Sequence, residues 1–199
     1  MDGKCPLRCR SDHNKGVYKI MLLGLTGKKG CGKSSIARIL RDNHGFEILS
    51  FATPIKDMLE AMGIEREKLN DPCLKEKELP DFGKSPRQLM QLLGTEFARD
   101  LIHPNIWIYL MEKRMGEYKN VVIDDVRFRN EAQMIVGYDG QVIEVIRAKH
   151  LLEDGHISEA GIDDELISST VHNTSCYVTD LEISVANIVR NANETVLAS

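Results

Sequence analysis

The chain has 199 residues, 42% of them apolar and 28% charged, and a formal net charge of −4, which suits one globular domain large enough to bury a core. Acids (30) slightly outnumber lysine plus arginine (26), so a broad binder of nucleic-acid backbone is excluded and any anion site must be local. The longest apolar stretches, 20–25 and 121–123, fall far short of the roughly 20 residues a membrane-spanning helix needs.

Residues 1–16 read as a disordered polar leader. Basic residues are followed by Ser11, Asp12, His13 and Asn14 rather than by the apolar centre of a secretory signal, so the protein is expected to stay in the cytoplasm. Five cysteines at 5, 9, 31, 73 and 176 lack framework spacing and read as reduced thiols. Cys5, Cys9 and His13 recur every four residues, but a structural zinc wants four ligands and no fourth lies near. No metal is expected there.

From Val17 the run VYKIMLLGL is the nearly continuous apolar pattern of a strand covered on both faces. A glycine-rich loop at 27–33 follows, then a helix with an apolar stripe of Ile36, Ile39 and Leu40 that stops at Gly45. Residues 46–51 (FEILSF), 121–125 (VVIDD) and 141–147 (QVIEVIR) read as further strands with helical patterns between them. That alternation implies an α/β layered fold around a parallel sheet, one domain over 17–199.

Between Thr53 and Gly83 a short helix, PIKDMLEAM, and a polar segment form an excursion over the sheet. Ser85, Pro86 and Gln88 then open a long helix as N-cap, first-turn proline and capping-box glutamine. Leu89, Leu92, Leu93, Phe97 and Leu101 are expected to form its buried face, while Arg87, Gln91, Thr95 and Arg99 form a polar stripe. Gly94 costs that helix about 1 kcal/mol relative to alanine, so something must approach closely there. Past Arg147 the chain turns polar and acidic, as a mobile flap over Lys149 to Asp164 would. A final helix is expected from about Asp180 to Leu197.

Gly27, Lys28, Lys29, Gly30, Cys31, Gly32, Lys33 and Ser34 match G-x-x-x-x-G-K-[ST] at every fixed position, between a buried strand and a helix. Such a loop wraps backbone N–H groups around a polyphosphate at a helix N-terminus. Lys33 is expected to reach the β- and γ-phosphates and Ser34 to offer its hydroxyl to magnesium. One of Asp124 and Asp125, at the end of a buried strand beside this loop, is expected to hold the same metal through water. Lys56, Arg87, Arg99, Arg127, Arg129 and Arg147 stand at element ends or on the polar stripe, a cation pattern suited as a group to two phosphorylated ligands, with Arg129 read singly as a solvated surface residue.

Five blocks in order, GLTGKKGCGKSS, SFATPIKDML, SPRQLMQLLGTEFARDLIHPNIWI, VVIDDVRFRNEA and VIEVIRAKH followed by DGHISEAGI, resemble the deoxynucleoside monophosphate kinases of bacteriophages from about Tyr18 to Asn191. The resemblance implies a three-layer α/β/α P-loop NTPase fold with an acceptor-binding helical excursion at about 53–105 and a lid at about 148–165. It implies ATP and Mg²⁺ as cofactors and a deoxynucleoside monophosphate as substrate; a homodimer is a candidate assembly that the sequence leaves open. Gly27, Lys29, Gly30, Cys31, Gly32, Lys33, Ser34 and Ser35 would hold ATP, with Ser34 and Asp125 on the metal. Lys56, Arg87, Gln91, Gly94, Thr95, Arg99 and Arg127 would line the acceptor site. Lys33, Asp125, Arg127 and Arg147 would act in catalysis, Asp125 and Arg127 as the family's Asp-x-Arg. The lid would carry His156, Ser158 and Glu159. Related kinases that act on a modified base in DNA, or on a small phosphorylated metabolite, share parts of the pattern. The acidic net charge counts against DNA.

Overall fold

A computed structural model of the chain describes residues 20–147, 162–173 and 178–198. The leader with Cys5, Cys9 and His13, and most of the expected lid with His156, Ser158 and Glu159, lie outside the described residues.

Five strands form one sheet: β1 (Met21–Thr26), β2 (Glu47–Leu49), β3 (Asn120–Ile123), β4 (Gln141–Ile146) and β5 (Ser169–His172). Their order is β2-β3-β1-β4-β5 and every pairing is parallel. Parallel neighbours need crossovers, and these run through α1 (Lys33–His44), α2 (Thr53–Ala61), α3 (Arg66–Asn70), α4 (Pro86–Gln91), α5 (Ile106–Met115) and α6 (Arg129–Gly137). Helix α7 (Val178–Ala198) ends the described chain. No helix of the described residues is long and apolar enough to cross a membrane.

Successive side chains of the central strands point to opposite faces, and each face has its own core. Leu22, Val121, Ile123 and Val142 pack with helices α2 to α6, whereas Leu23, Leu25, Val122 and Ile143 pack with α1 and α7. The result is the three-layer α/β/α arrangement. Strand β1 lies between β3 and β4, so the chain leaves it toward one edge of the sheet and later crosses to the other. A crevice therefore opens beyond the C-terminal ends of the strands, where open parallel sheets take ligands.

Two features differ from expectation. Strand β5 was not foreseen, since Ser169–His172 offers a single buried apolar residue, Val171. The long helix is also not α-helical throughout: α4 passes into a π-helix over Leu92–Ile102. Its inward face is the one with small and polar residues, with Gly94 and Ala98 buried, while Phe97 is 47% and Leu101 77% exposed and Leu92 is exposed as well. Leu89 and Leu93 alone of the expected face pack partly against the core.

Candidate active site

The glycine loop sits at the C-terminal end of β1 and opens α1, whose N-cap is Gly32 at φ 113°. A Cβ at Gly32 would stand 2.3 Å from Asn173 Nδ2, and one at Gly27, at φ 129°, would stand 2.3 Å from the carbonyl oxygen of Val145. Only glycine fits at either point. Asn173, just past β5, braces the loop by donating its amide N–H to the Cys31 carbonyl at 2.9 Å. The first-turn N–H groups of Lys33 and Ser34 have no acceptor within the helix and remain available to an anion.

Lys33 folds back over its own loop. Its Nζ donates to the carbonyls of Gly27 at 2.5 Å and Lys28 at 3.0 Å, with Cys31 Sγ at 3.7 Å. Burial pulls the Lys33 ammonium below the usual lysine range, opposed by Cys31 and reinforced by Arg127. A polyphosphate in the loop would supply the countercharge this ammonium lacks.

Beside the loop, a cavity of about 530 Å³ opens under the π-helix. It brings together Ser34, Asp124 and Asp125 and every residue expected at the acceptor site, from Lys56 to Arg127. Phe51, Ile55, Met90, Trp107 and Phe128 give it an apolar wall. The close approach expected at Gly94 comes from α2 and α5: a Cβ there would stand 2.8 Å from Ile55 Cδ1, and the Trp107 indole N–H donates to the Gly94 carbonyl at 2.8 Å. Arg147 lies elsewhere, exposed just beyond β4 and outside the cavity lining.

The two acids after β3 have separate surroundings. Asp125 accepts from Ser50 Oγ at 2.6 Å, from the Phe51 backbone N–H at 2.8 Å and from that of Ala52 at 2.9 Å. Its carboxylate thus holds the loop between β2 and α2 while lining the same cavity as Ser34 and Asp124. Asp124 faces Lys56 and Lys33; burial and the neighbouring Asp125 push its carboxyl up to about 6. Ser34 and Asp124 border the same cavity and form an all-oxygen donor pair, which fits a hard cation such as Mg²⁺ that takes its other ligands from phosphate and water.

Arg99 lines the cavity as part of a nearly buried ion pair. Its Nη2 donates to Glu131 Oε1 at 2.5 Å, both side chains are nearly buried, at 9% and 2% exposure, and its guanidinium lies 4.0 Å from the centre of the Phe128 ring. Glu131 Oε2 accepts the backbone N–H groups of Arg127 and Phe128 at 2.8 and 3.0 Å. Burial pushes the Glu131 carboxyl up to about 7, against the pull of Arg99 and these N–H groups. The pair shapes the cavity wall and orients the backbone that carries Arg127. Nothing in the pattern flagged Glu131 except its place four residues after Arg127.

Lys75 and Glu76 were also missed, within the polar segment read only as an excursion. Asp71 caps their short 3₁₀ turn by accepting the N–H groups of Cys73 and Leu74, each at 2.8 Å. Lys75 lines the cavity. Glu76 Oε1 accepts from Lys29 of the glycine loop at 2.6 Å and from Arg87 Nε at 2.8 Å, so one carboxylate ties the glycine loop to the cavity wall.

Residues 64–182 match the family model of deoxynucleotide monophosphate kinase. A protein of Acanthamoeba polyphaga mimivirus that carries the deoxynucleotide monophosphate kinase name is 35% identical over 158 residues, 70% of this chain and 81% of its own length. The deoxynucleoside-5'-monophosphate kinase of Escherichia phage T5 is 31% identical over 155 residues, 71% of this chain, and the match spans 59% of that longer protein. Among solved structures, dephospho-CoA kinase from Campylobacter jejuni aligns with 85% of this chain and 95% of its own, at 17% identity and a TM-score of 0.49. The family match takes in the π-helix, the carboxylates after β3 and Arg127, and a relative more than 30% identical is covered over four fifths of its length: the chain belongs to the deoxynucleotide monophosphate kinase family.

Proposed function

We propose that this chain transfers the γ-phosphoryl group of ATP to a deoxynucleoside monophosphate, giving ADP and the deoxynucleoside diphosphate, in the cytoplasm. The observation that carries the reading is the meeting of a donor loop and a separate cation-lined cavity with an apolar wall, sharing Ser34, Asp124 and Arg127 along their border.

An acceptor monophosphate is mostly dianionic at neutral pH, its second pKa being near 6, and needs no general base. One of its oxygens attacks the γ-phosphorus as the bond to the β–γ bridging oxygen breaks and ADP leaves. The chain's task is alignment and charge. Lys33 and the N–H groups of the glycine loop take the donor phosphates. Lys56, Arg87 and Arg127 hold the acceptor, and Arg127 serves both sides. Asp125 keeps residues 50–52 in place as one wall of the acceptor site. Magnesium held by Ser34, Asp124 and phosphate oxygens would neutralise charge on the transferring group. Residues 53–105 form the acceptor-binding region in this reading, and a lid over about 148–165, with Arg147 at its base, excludes water that would otherwise accept the phosphoryl group.

The test is ADP release followed in a coupled assay with ATP, Mg²⁺ and each of the four common deoxynucleoside monophosphates in turn. Release should depend on at least one of them. ADP release at one rate whether or not a monophosphate is present would instead favour a slow nucleotide switch.

A further inference from the structure

We propose that Lys75 is a ligand of the acceptor's phosphate, a further basic arm that lines the cavity from the 3₁₀ turn packed against α3 and α4. This rests on reading that cavity as the acceptor site.

Three observations carry it. First, Lys75 lines the cavity together with Lys56, Arg87 and Arg127, and its turn packs against both α3 and α4. The chain between α3 and α4 is therefore placed against the cavity, with Asp71 capping the turn and an antiparallel bridge between Leu79 and Lys84 closing the segment.

Second, the neighbouring cations have partners and Lys75 does not. Lys56 donates to Asn70 Oδ1 at 2.9 Å, and Lys29 and Arg87 share Glu76. Asp125 is committed to residues 50–52. Among the described residues, the Lys75 ammonium makes no ion pair or hydrogen bond.

Third, its surroundings are wrong for a lone cation. Burial, with Lys56, Arg87 and Arg127 as the nearest like charges, pulls Lys75 down to about 8. A half-buried lysine among three other cations is unfavourable in the empty protein and becomes favourable when a dianion enters. A surface lysine with no role would turn to water. An ordinary carboxylate ligand would leave part of this charge unmatched, whereas a phosphate monoester brings two negative charges and three acceptor oxygens.

The experiment is calorimetric titration, without ATP, of wild type, Lys75→Met, Lys75→Gln and Lys75→Arg. The ligands are the deoxynucleoside monophosphates and their phosphate-free deoxynucleosides. At pH 7 both neutral variants should bind the monophosphates about 10- to 100-fold more weakly than wild type, as loss of a charge-assisted contact implies. Nucleoside affinity should stay within about two-fold, and Lys75→Arg should keep most of the monophosphate affinity. Monophosphate affinity unchanged in both neutral variants, with a wild type that binds it, overturns the role of Lys75 and leaves the kinase reading standing. An equal loss for nucleoside and monophosphate also overturns it, by showing a structural effect. A wild type that binds no monophosphate at all overturns the acceptor site itself and this inference with it.

Discussion

Asp124 and Asp125 share a sequence position in all but one step, yet what surrounds them assigns different work. Asp125 satisfies two backbone N–H groups and a hydroxyl, and an asparagine there would turn an amide N–H toward those donors. Asp125→Asn should therefore lower stability by about 1–3 kcal/mol, read by chemical denaturation, because buried donors lose their acceptor. Asp124→Asn should leave stability equal or slightly higher, since a carboxylate that burial disfavours is removed. It should also lower kcat by about 100-fold and raise the Mg²⁺ needed for half-maximal rate. If the two variants exchanged these effects, the metal would belong on Asp125. Lys75 supplies a pH signature at the same scale. Its pKa in the folded protein, about 8, lies below the ordinary lysine value of 10.5, so the folded state holds fewer protons than the unfolded one between those values. Stability of the ligand-free protein should rise with pH across that window. Monophosphate affinity should fall as pH passes about 8, because the phosphate needs the ammonium. Lys56, Arg87, Arg127 and Asp125 also face this group, so Lys75→Arg, which stays charged, is the control that should flatten the Lys75 share of the affinity profile.

The helix after Ser85 shows how a local signal can be read correctly and its packing reversed. Ser85 accepts from the Gln88 N–H and Gln88 returns the contact to the Ser85 N–H, as the capping pattern required. The apolar period then pointed Phe97 and Leu101 inward, whereas the structure turns them outward. The cause is the cavity: the face toward α2 must admit Ile55 and the Trp107 indole and leave room for a ligand, so it carries Gly94 and Ala98 with the polar stripe beside them. The π-helical winding also removes the 3.6-residue period on which the assignment relied. Leu101→Gln should change stability by no more than about 0.5 kcal/mol. Ala98→Leu, on the buried face, should cost about 1–3 kcal/mol through overpacking. A melting temperature that collapsed for Leu101→Gln and held for Ala98→Leu would restore the original orientation. The glycine loop, by contrast, was legible in full because its chemistry fixes residue types at fixed spacing and lies within one strand–loop–helix unit. Lys75, Glu76 and Asn173 carry no such local pattern. They reach the site only through tertiary folding of the 3₁₀ turn and of β5.

At the scale of the whole molecule, the parallel order β2-β3-β1-β4-β5 sets the donor loop at the end of β1 and Asp124 at the end of β3 next to it. The excursion between β2 and β3 supplies most of the cavity wall beside them. Strand pattern and motif together made the layers and the glycine loop legible; the acceptor side took its meaning from five family-like blocks, because a cavity assembled from six separate segments has no single period. The chain's single tryptophan, Trp107, lies in that wall, so its emission should change when a deoxynucleoside monophosphate binds. It should change much less with ATP alone, and a response to ATP only would place the nucleotide in the wrong half. Transfer between two anion sites is tested most directly by following the label from [γ-³²P]ATP in the presence of Mg²⁺ and each deoxynucleoside monophosphate. Label should appear in a deoxynucleoside diphosphate, and Lys33→Ala should reduce that by about 100- to 1,000-fold while remaining folded. Label appearing solely as inorganic phosphate, or a Lys33→Ala variant as fast as wild type, would contradict the account.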